Sequence, residues 1–162
     1  VRQDFNCFGG FGQQGYGYNV SNLTGEIKRI MGIDRKHTII IVGAGNIGHA
    51  LTNFPGFAET GFEVKALFDV NEDLIGTEIK GHPVLDVKDM DEYIRENQID
   101  IGVIAARRSA AQEIADRMCA AGIRGIWNFV PLDITTSVPI ENVHLSESLS
   151  TLSYKIEHGL LD

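Results

Sequence analysis

Residues 43–48 read Gly43-Ala44-Gly45-Asn46-Ile47-Gly48 and follow directly on Thr38-Ile39-Ile40-Ile41-Val42. In this order the first glycine permits a tight turn, and the second lets backbone N–H groups approach a pyrophosphate. The third lets a helix pack closely on the preceding strand. The helix that opens there turns its positive end toward the phosphates. An isolated G-x-G-x-x-G is weak evidence, but here Asp69 stands 21 residues after Gly48 at the end of the next predicted strand. A carboxylate at that place accepts hydrogen bonds from an adenosine ribose and repels a 2′-phosphate. The pairing points to NAD(H) rather than NADP(H), with Gly43 to Gly48 and Asp69 as cofactor-binding residues. Two other readings stay open: a tight glycine turn in a domain that holds no ligand, and a different nucleotide such as coenzyme A.

Residues fit for catalysis are harder to find. Hydride transfer needs a proton donor or acceptor beside the nicotinamide, usually His, Tyr with Lys, or Cys. Tyr154 and Lys155 are adjacent and so point about 100° apart on a helix. His37 precedes a strand, His82 lies in a loop and His158 is near the C-terminus, all places that suit solvated side chains. His49 has a possible helix-packing or cofactor-edge role. Cys119, in an Ala-rich helix, suits a small core position. No catalytic residue is expected, and neither Cys7 nor Cys119 has a metal ligand's spacing. Arg107-Arg108-Ser109 follow Ala105-Ala106 at the carboxyl end of a buried strand, where open α/β sheets bind ligands. Ala105 and Ala106 are therefore candidates for the nicotinamide end. The two arginines read either as a phosphate contact or as a solvated helix start.

The elements that position these residues follow from hydrophobic period and helix punctuation. The β-branched run 38–42 suits a strand buried on both faces of a parallel sheet. Strands are predicted at 63–68, 84–85, 100–106, 125–129 and 138–144. Helices are predicted at 21–31, 46–53, 87–97, 109–121 and 146–158, with residues 71–83 an irregular connection. Alternating strands and helices give an α/β fold, a doubly wound parallel sheet of the Rossmann type over residues 37–145. Along the final helix Leu145, Leu149, Leu152, Ile156 and Leu160 form a narrow apolar stripe. It covers its own sheet or, as the expected dimer interface, a partner chain.

At 162 residues and 43% hydrophobic content the chain can bury one good core. No run of about 18 apolar residues and no signal-peptide pattern is present, so a soluble, cytoplasmic protein without a membrane partner is expected. The net charge of −8 argues against a surface coated by nucleic acid. It is unevenly spread: residues 1–33 carry Arg2, Lys28 and Arg29 against Asp4 and Glu26, whereas the remainder holds 11 basic and 20 acidic groups. The first 18 residues also hold five of the 18 glycines and five of the 13 aromatic residues. That mixture reads as a short β-ribbon whose rings pack on something else.

Several of these segments together resemble one family, the Rex redox-sensing transcriptional repressors of bacteria. The matching stretches are Val1-Arg2-Gln3-Asp4-Phe5, Phe8 to Gly12 and Gly15 to Tyr18; Val42 to Gly48 with Phe54-Pro55-Gly56-Phe57; Phe68-Asp69-Val70; Ala110-Ala111-Gln112-Glu113; and Gly122 to Phe129. The resemblance implies a homodimer in which a winged helix binds operator double-stranded DNA and a Rossmann domain senses the NADH to NAD+ ratio, with no enzyme activity. Residues 1–33 would be the C-terminal remnant of the winged-helix domain, wing plus helix, with most of that domain N-terminal to Val1. Arg2 and Gln3 would lie on its DNA-facing edge, and residues 146–162 would be a helix exchanged between subunits. Gln3, Arg107, Arg108 and His144 depart from the family pattern, which bears on DNA contact, on NADH against NAD+ discrimination and on an interdomain charge pair. The rival readings are a small NAD-dependent oxidoreductase and a coenzyme A-binding domain of related fold.

Overall fold

The computed structural model describes residues 12–13, 17–18 and 36–159, without the side chains of residues 12, 13, 17, 18, 58 and 145. The predicted helix 21–31, Arg2, Gln3 and Leu160 lie outside the described residues. Gly12–Gln13 (β1) and Gly17–Tyr18 (β2) pair antiparallel, Gly12 opposite Tyr18, which is the ribbon expected from the Gly-aromatic composition.

The main body is a seven-stranded sheet. Its strands are His37–Val42 (β3), Phe62–Asp69 (β4), Glu78–Ile79 (β5), His82–Asp86 (β6), Ile101–Ile104 (β7), Gly125–Asn128 (β8) and Ile140–Asn142 (β9). The spatial order is β5-β6-β4-β3-β7-β8-β9. All neighbouring pairs are parallel except β5 with β6. With the six parallel strands counted in chain order, the arrangement is 3-2-1-4-5-6, the order of dinucleotide-binding domains. Residues 71–83, predicted as irregular, instead supply β5 and the start of β6. Gly81, at φ +84°, turns the chain between them, and the resulting two-residue strand is too short to leave a periodic signal.

β3 lies at the centre because both of its faces are apolar. Ile40 and Val42 join one core layer with Phe68, Met90, Ile94, Ile104, Ile114 and Met118. Ile39 and Ile41 join the other with Leu51, Leu67, Val84 and Val103. Each such side chain contributes about 1.5–3 kcal/mol by leaving water. The first layer is covered by Met90–Asn97 (α3) and Ala111–Ala121 (α4). α4 buries Ala111, Ile114, Ala115, Met118 and Ala121 at helical spacing and stops at Gly122, φ +99°. Gly102 of β7 makes room for it, since a Cβ there would lie 2.8 Å from Met118 Cε. A 3-10 turn over Arg108–Ala110 precedes α4, so the helix begins two residues later than predicted.

Among the described residues the opposite layer has two short helices, Asn46–Thr52 (α1) and Gly56–Glu59 (α2). Aromatic rings fill what they leave: Phe57 meets Trp127 edge-on at 6.0 Å and Trp127 meets Phe129 at 4.6 Å. The last helix, Leu145–Glu157 (α5), begins one residue earlier than predicted.

Candidate functional site

The glycine-rich turn between β3 and α1 sits where the strand order reverses, so it opens on the crevice between the carboxyl ends of β3 and β7. Its three glycines serve different ends. Gly43 has φ +108°, and a Cβ there would strike the backbone of Ala105 and lie 2.9 Å from the Ala106 nitrogen. A Cβ on Gly48 would strike the carbonyl oxygen of Gly43, so this glycine lets α1 close onto the turn. Gly45 has nothing within 4 Å of a would-be Cβ. It is exposed, as are Asn46 and Ile47 beside it, whereas Ala44 and Gly48 are buried. The backbone is thus pinned on both sides of Gly45 and bare at Gly45 itself, the shape that a close-lying phosphate group requires.

Asp69, the last residue of β4, braces that turn. Its Oδ2 accepts the Ala44 N–H at 2.7 Å, while Oδ1 accepts the N–H groups of Val70 and Asn71 at 2.8 and 2.9 Å. The Gly43 N–H donates to the Phe68 carbonyl at 2.8 Å, a second tie between turn and β4. A carboxylate offers about four lone-pair sites, so Oδ2 retains acceptor capacity for a ribose hydroxyl. Asp69 thus stands at the strand end its spacing predicts, with a structural duty that spacing alone does not reveal.

On the other side of the crevice the Ala105 N–H donates to the Val42 carbonyl at 2.8 Å, and Ala105 and Ala106 are half-buried against Gly43. Arg107 and Arg108 come next, both exposed. The end of β8 is fixed by Asn128, which is fully buried. Its Nδ2 donates to the Val130 and Leu132 carbonyls and to Asn142 Oδ1 on β9, at 2.9, 3.1 and 2.9 Å, and its Oδ1 accepts the Val130 N–H at 2.9 Å. Every polar group of that amide is engaged, as burial demands. Gln112 of α4 similarly holds Thr135 by both backbone groups. Neither residue was singled out for this from the sequence. Asn128, a lone amide in an apolar strand, was the available signal.

The candidates for catalysis are not assembled. His49 is exposed on α1, His37 lies 3.5 Å from Asp100 at the amino ends of the strands, and Cys119 Sγ lies 3.1 Å from Thr136 Oγ1. Tyr154 is exposed on α5, stacked on His158. Among the described residues no cluster of His, Cys, Asp and Glu could hold a metal ion, and no helix is long and apolar enough to cross a membrane.

The stripe on α5 is bare. Leu149, Leu152 and Ile156 are 69%, 53% and 69% exposed, and the backbone of Leu145 opens the helix. From Ser146 to Gly159 every residue is exposed except Lys155, which is half-buried. Leu149, Leu152 and Ile156 therefore do not lie against the sheet of their own chain. His144 lies 3.7 Å from Glu147 within the same segment.

Three comparisons bear on the site. The CoA binding domain family matches residues 34–132, and this stretch belongs to it. The redox-sensing transcriptional repressor Rex of Clostridioides difficile is 51% identical over 161 residues, 98% of this chain and 77% of the relative. The chain belongs to the Rex family of redox-sensing transcriptional repressors. A Rex-family repressor named RSP, solved in complex with β-NAD+ and operator DNA, superposes with a TM-score of 0.91 at 47% identity, over 99% of this chain and 75% of that one. RSP in complex with β-NADH gives 0.84 at 42% identity, with the same coverage. Rex relatives are named as repressors, not enzymes. The Rex and coenzyme A matches are compatible as fold.

Proposed function

We propose that this chain is the NAD(H)-sensing and dimer-forming core of a redox-sensing repressor whose hold on operator DNA follows the NADH to NAD+ ratio. The observation that carries the dinucleotide reading is the bare backbone at Gly45, flanked by two glycines that tolerate no side chain and braced by Asp69. Gly43 to Gly48 take the pyrophosphate, Asp69 the adenosine ribose, and Ala105 and Ala106 the nicotinamide end. Binding needs no proton donor, in keeping with a sensor rather than a small oxidoreductase.

In this reading residues 1–33 belong to the DNA-binding domain, with Arg2 and Gln3 at its DNA-facing edge, residues 37–145 form the sensor, and residues 146–162 cross to the partner. Leu145, Leu149, Leu152 and Ile156 meet the second copy. The exposure of this stripe supports the assignment, because apolar side chains on a terminal helix gain about 25 cal/mol per Å² on burial. Two half-sites lie about 34–36 Å apart on DNA, so a dimer that closes around NADH carries its DNA-binding domains out of register. The ligand shifts that equilibrium only by its differential affinity for the two states. The protein acts in the bacterial cytoplasm, where the operator lies.

Calorimetric titration tests the sensor reading. The expected result is saturable NADH binding that coenzyme A does not displace, with no NADH turnover on small carbonyl compounds. Displacement by coenzyme A, or steady turnover, would replace this reading with one of its rivals.

A further inference from the structure

The crevice has a charge asymmetry that the dinucleotide reading does not use. Asp69 stands at its β4 end, and Arg107 and Arg108 stand at its β7 end, immediately after the Ala105–Ala106 backbone that abuts Gly43. Both arginine side chains are exposed. Among the described residues neither guanidinium is held by an ion pair or a hydrogen bond, although Glu113 and Asp133 lie on the adjoining helix and loop. Arg107 is extended, at φ −69° and ψ 144°, and Arg108 opens the 3-10 turn leading into α4. The pair is therefore two unneutralised positive charges at one mouth of the crevice, in a chain of net charge −8.

This inference rests on the dinucleotide reading. With the adenosine ribose at Asp69 and the pyrophosphate over the glycine turn, the second nucleoside extends past the switch point to the β7 side. There the two redox forms differ in charge: the oxidised nicotinamide ring carries a positive charge and the reduced ring is neutral. The rest of the molecule, pyrophosphate included, is the same. Any attraction between the arginines and the pyrophosphate therefore acts on both forms alike and cancels in their ratio, whereas repulsion of the ring acts on NAD+ alone. We infer that Arg107 and Arg108 set the preference of this site for NADH over NAD+ by electrostatic repulsion of the oxidised ring. Repulsion between like charges near a solvated surface changes an affinity by a few-fold, and salt weakens the effect.

The test is calorimetric titration of the 162-residue chain with NADH and with NAD+ at low and high salt, for the wild type, Arg107→Gln/Arg108→Gln and Arg107→Lys/Arg108→Lys. Replacing both arginines by Gln is expected to lower the ratio of the NAD+ to the NADH dissociation constant about 3- to 10-fold. Added salt should narrow the wild-type ratio and leave that of the Gln variant unchanged. The Lys variant, which keeps the charge, should retain the wild-type ratio. A ratio unchanged in the Gln variant overturns the inference, as does a Lys variant that behaves like the Gln variant. A wild type that binds neither dinucleotide overturns the underlying dinucleotide reading, and the inference with it.

Discussion

The carboxylate of Asp69 accepts the backbone N–H of Ala44 at 2.7 Å, so the residue assigned to the ribose also fixes the turn assigned to the pyrophosphate. Replacing it has two separable effects. Asp69→Ala is expected to weaken NADH binding by about 1–3 kcal/mol through lost charge-assisted hydrogen bonds. It should also lower the melting temperature by several degrees, because three backbone N–H groups lose their acceptor. Calorimetry reads the first effect and thermal denaturation the second. Unchanged NADH affinity refutes the ribose assignment even if the protein melts earlier.

The glycines of the turn separate binding from folding more sharply. Gly45→Ala places its methyl group in open space, so stability should hold to within about 0.5 kcal/mol while NADH affinity falls at least about tenfold. Gly48→Ala drives its methyl group into the Gly43 carbonyl and should cost about 1–3 kcal/mol of stability whether or not ligand is present. Denaturant unfolding with and without NADH distinguishes the two. Equal stability loss in both variants would contradict the geometry of the turn.

Acid should weaken the tie at the amino ends of the strands. Burial raises the pKa of Asp100, but the hydrogen bond from Arg124 at 2.7 Å, the Thr38 N–H and the charges of Arg124 and His37 outweigh it and leave the pKa lowered. A carboxylate with a folded pKa below its unfolded value contributes stability above the unfolded pKa. That contribution is lost as pH falls through the folded pKa, which lies below the ordinary carboxylate value. Arg124→Ala should flatten this part of the stability curve, as followed by circular dichroism between neutral and acid pH. An identical acid slope in the variant would show that the pair is not responsible.

The stripe on α5 predicts a change in assembly without a change in the body of the sheet. Leu149→Ser/Leu152→Ser/Ile156→Ser replaces side chains that make no core contact within the chain. Sedimentation should show monomers for the triple variant and dimers for the wild type. Dimers persisting in the variant would place the interface elsewhere.

The glycine motif, its strand and Asp69 were legible because each depends on local order: a β-branched run, three glycines at fixed spacing and an acid at the next strand end. The exposed stripe was legible because its period is that of a helix, although its exposure had to be observed. What escaped depends on proximity between distant residues. The spacing marks Asp69 as a ligand residue, whereas its bond to Ala44, 25 positions away, exists only once β3 and β4 pair. Asn128 is marked in sequence only as a lone amide in an apolar strand, and its partners appear once the loop over 130–132 and β9 close on it. β5 is fixed by its pairing with β6 rather than by any pattern of its own.

The bareness of α5 has a quantitative consequence. A helix of 13 residues is marginal in water by itself, so in the dimer proposed above the ordering of α5 and the meeting of two chains form a single equilibrium. The fraction of chains able to respond to redox state then depends on how many are present. Below the concentration at which half are paired, the dinucleotide can bind without any second body to reorient.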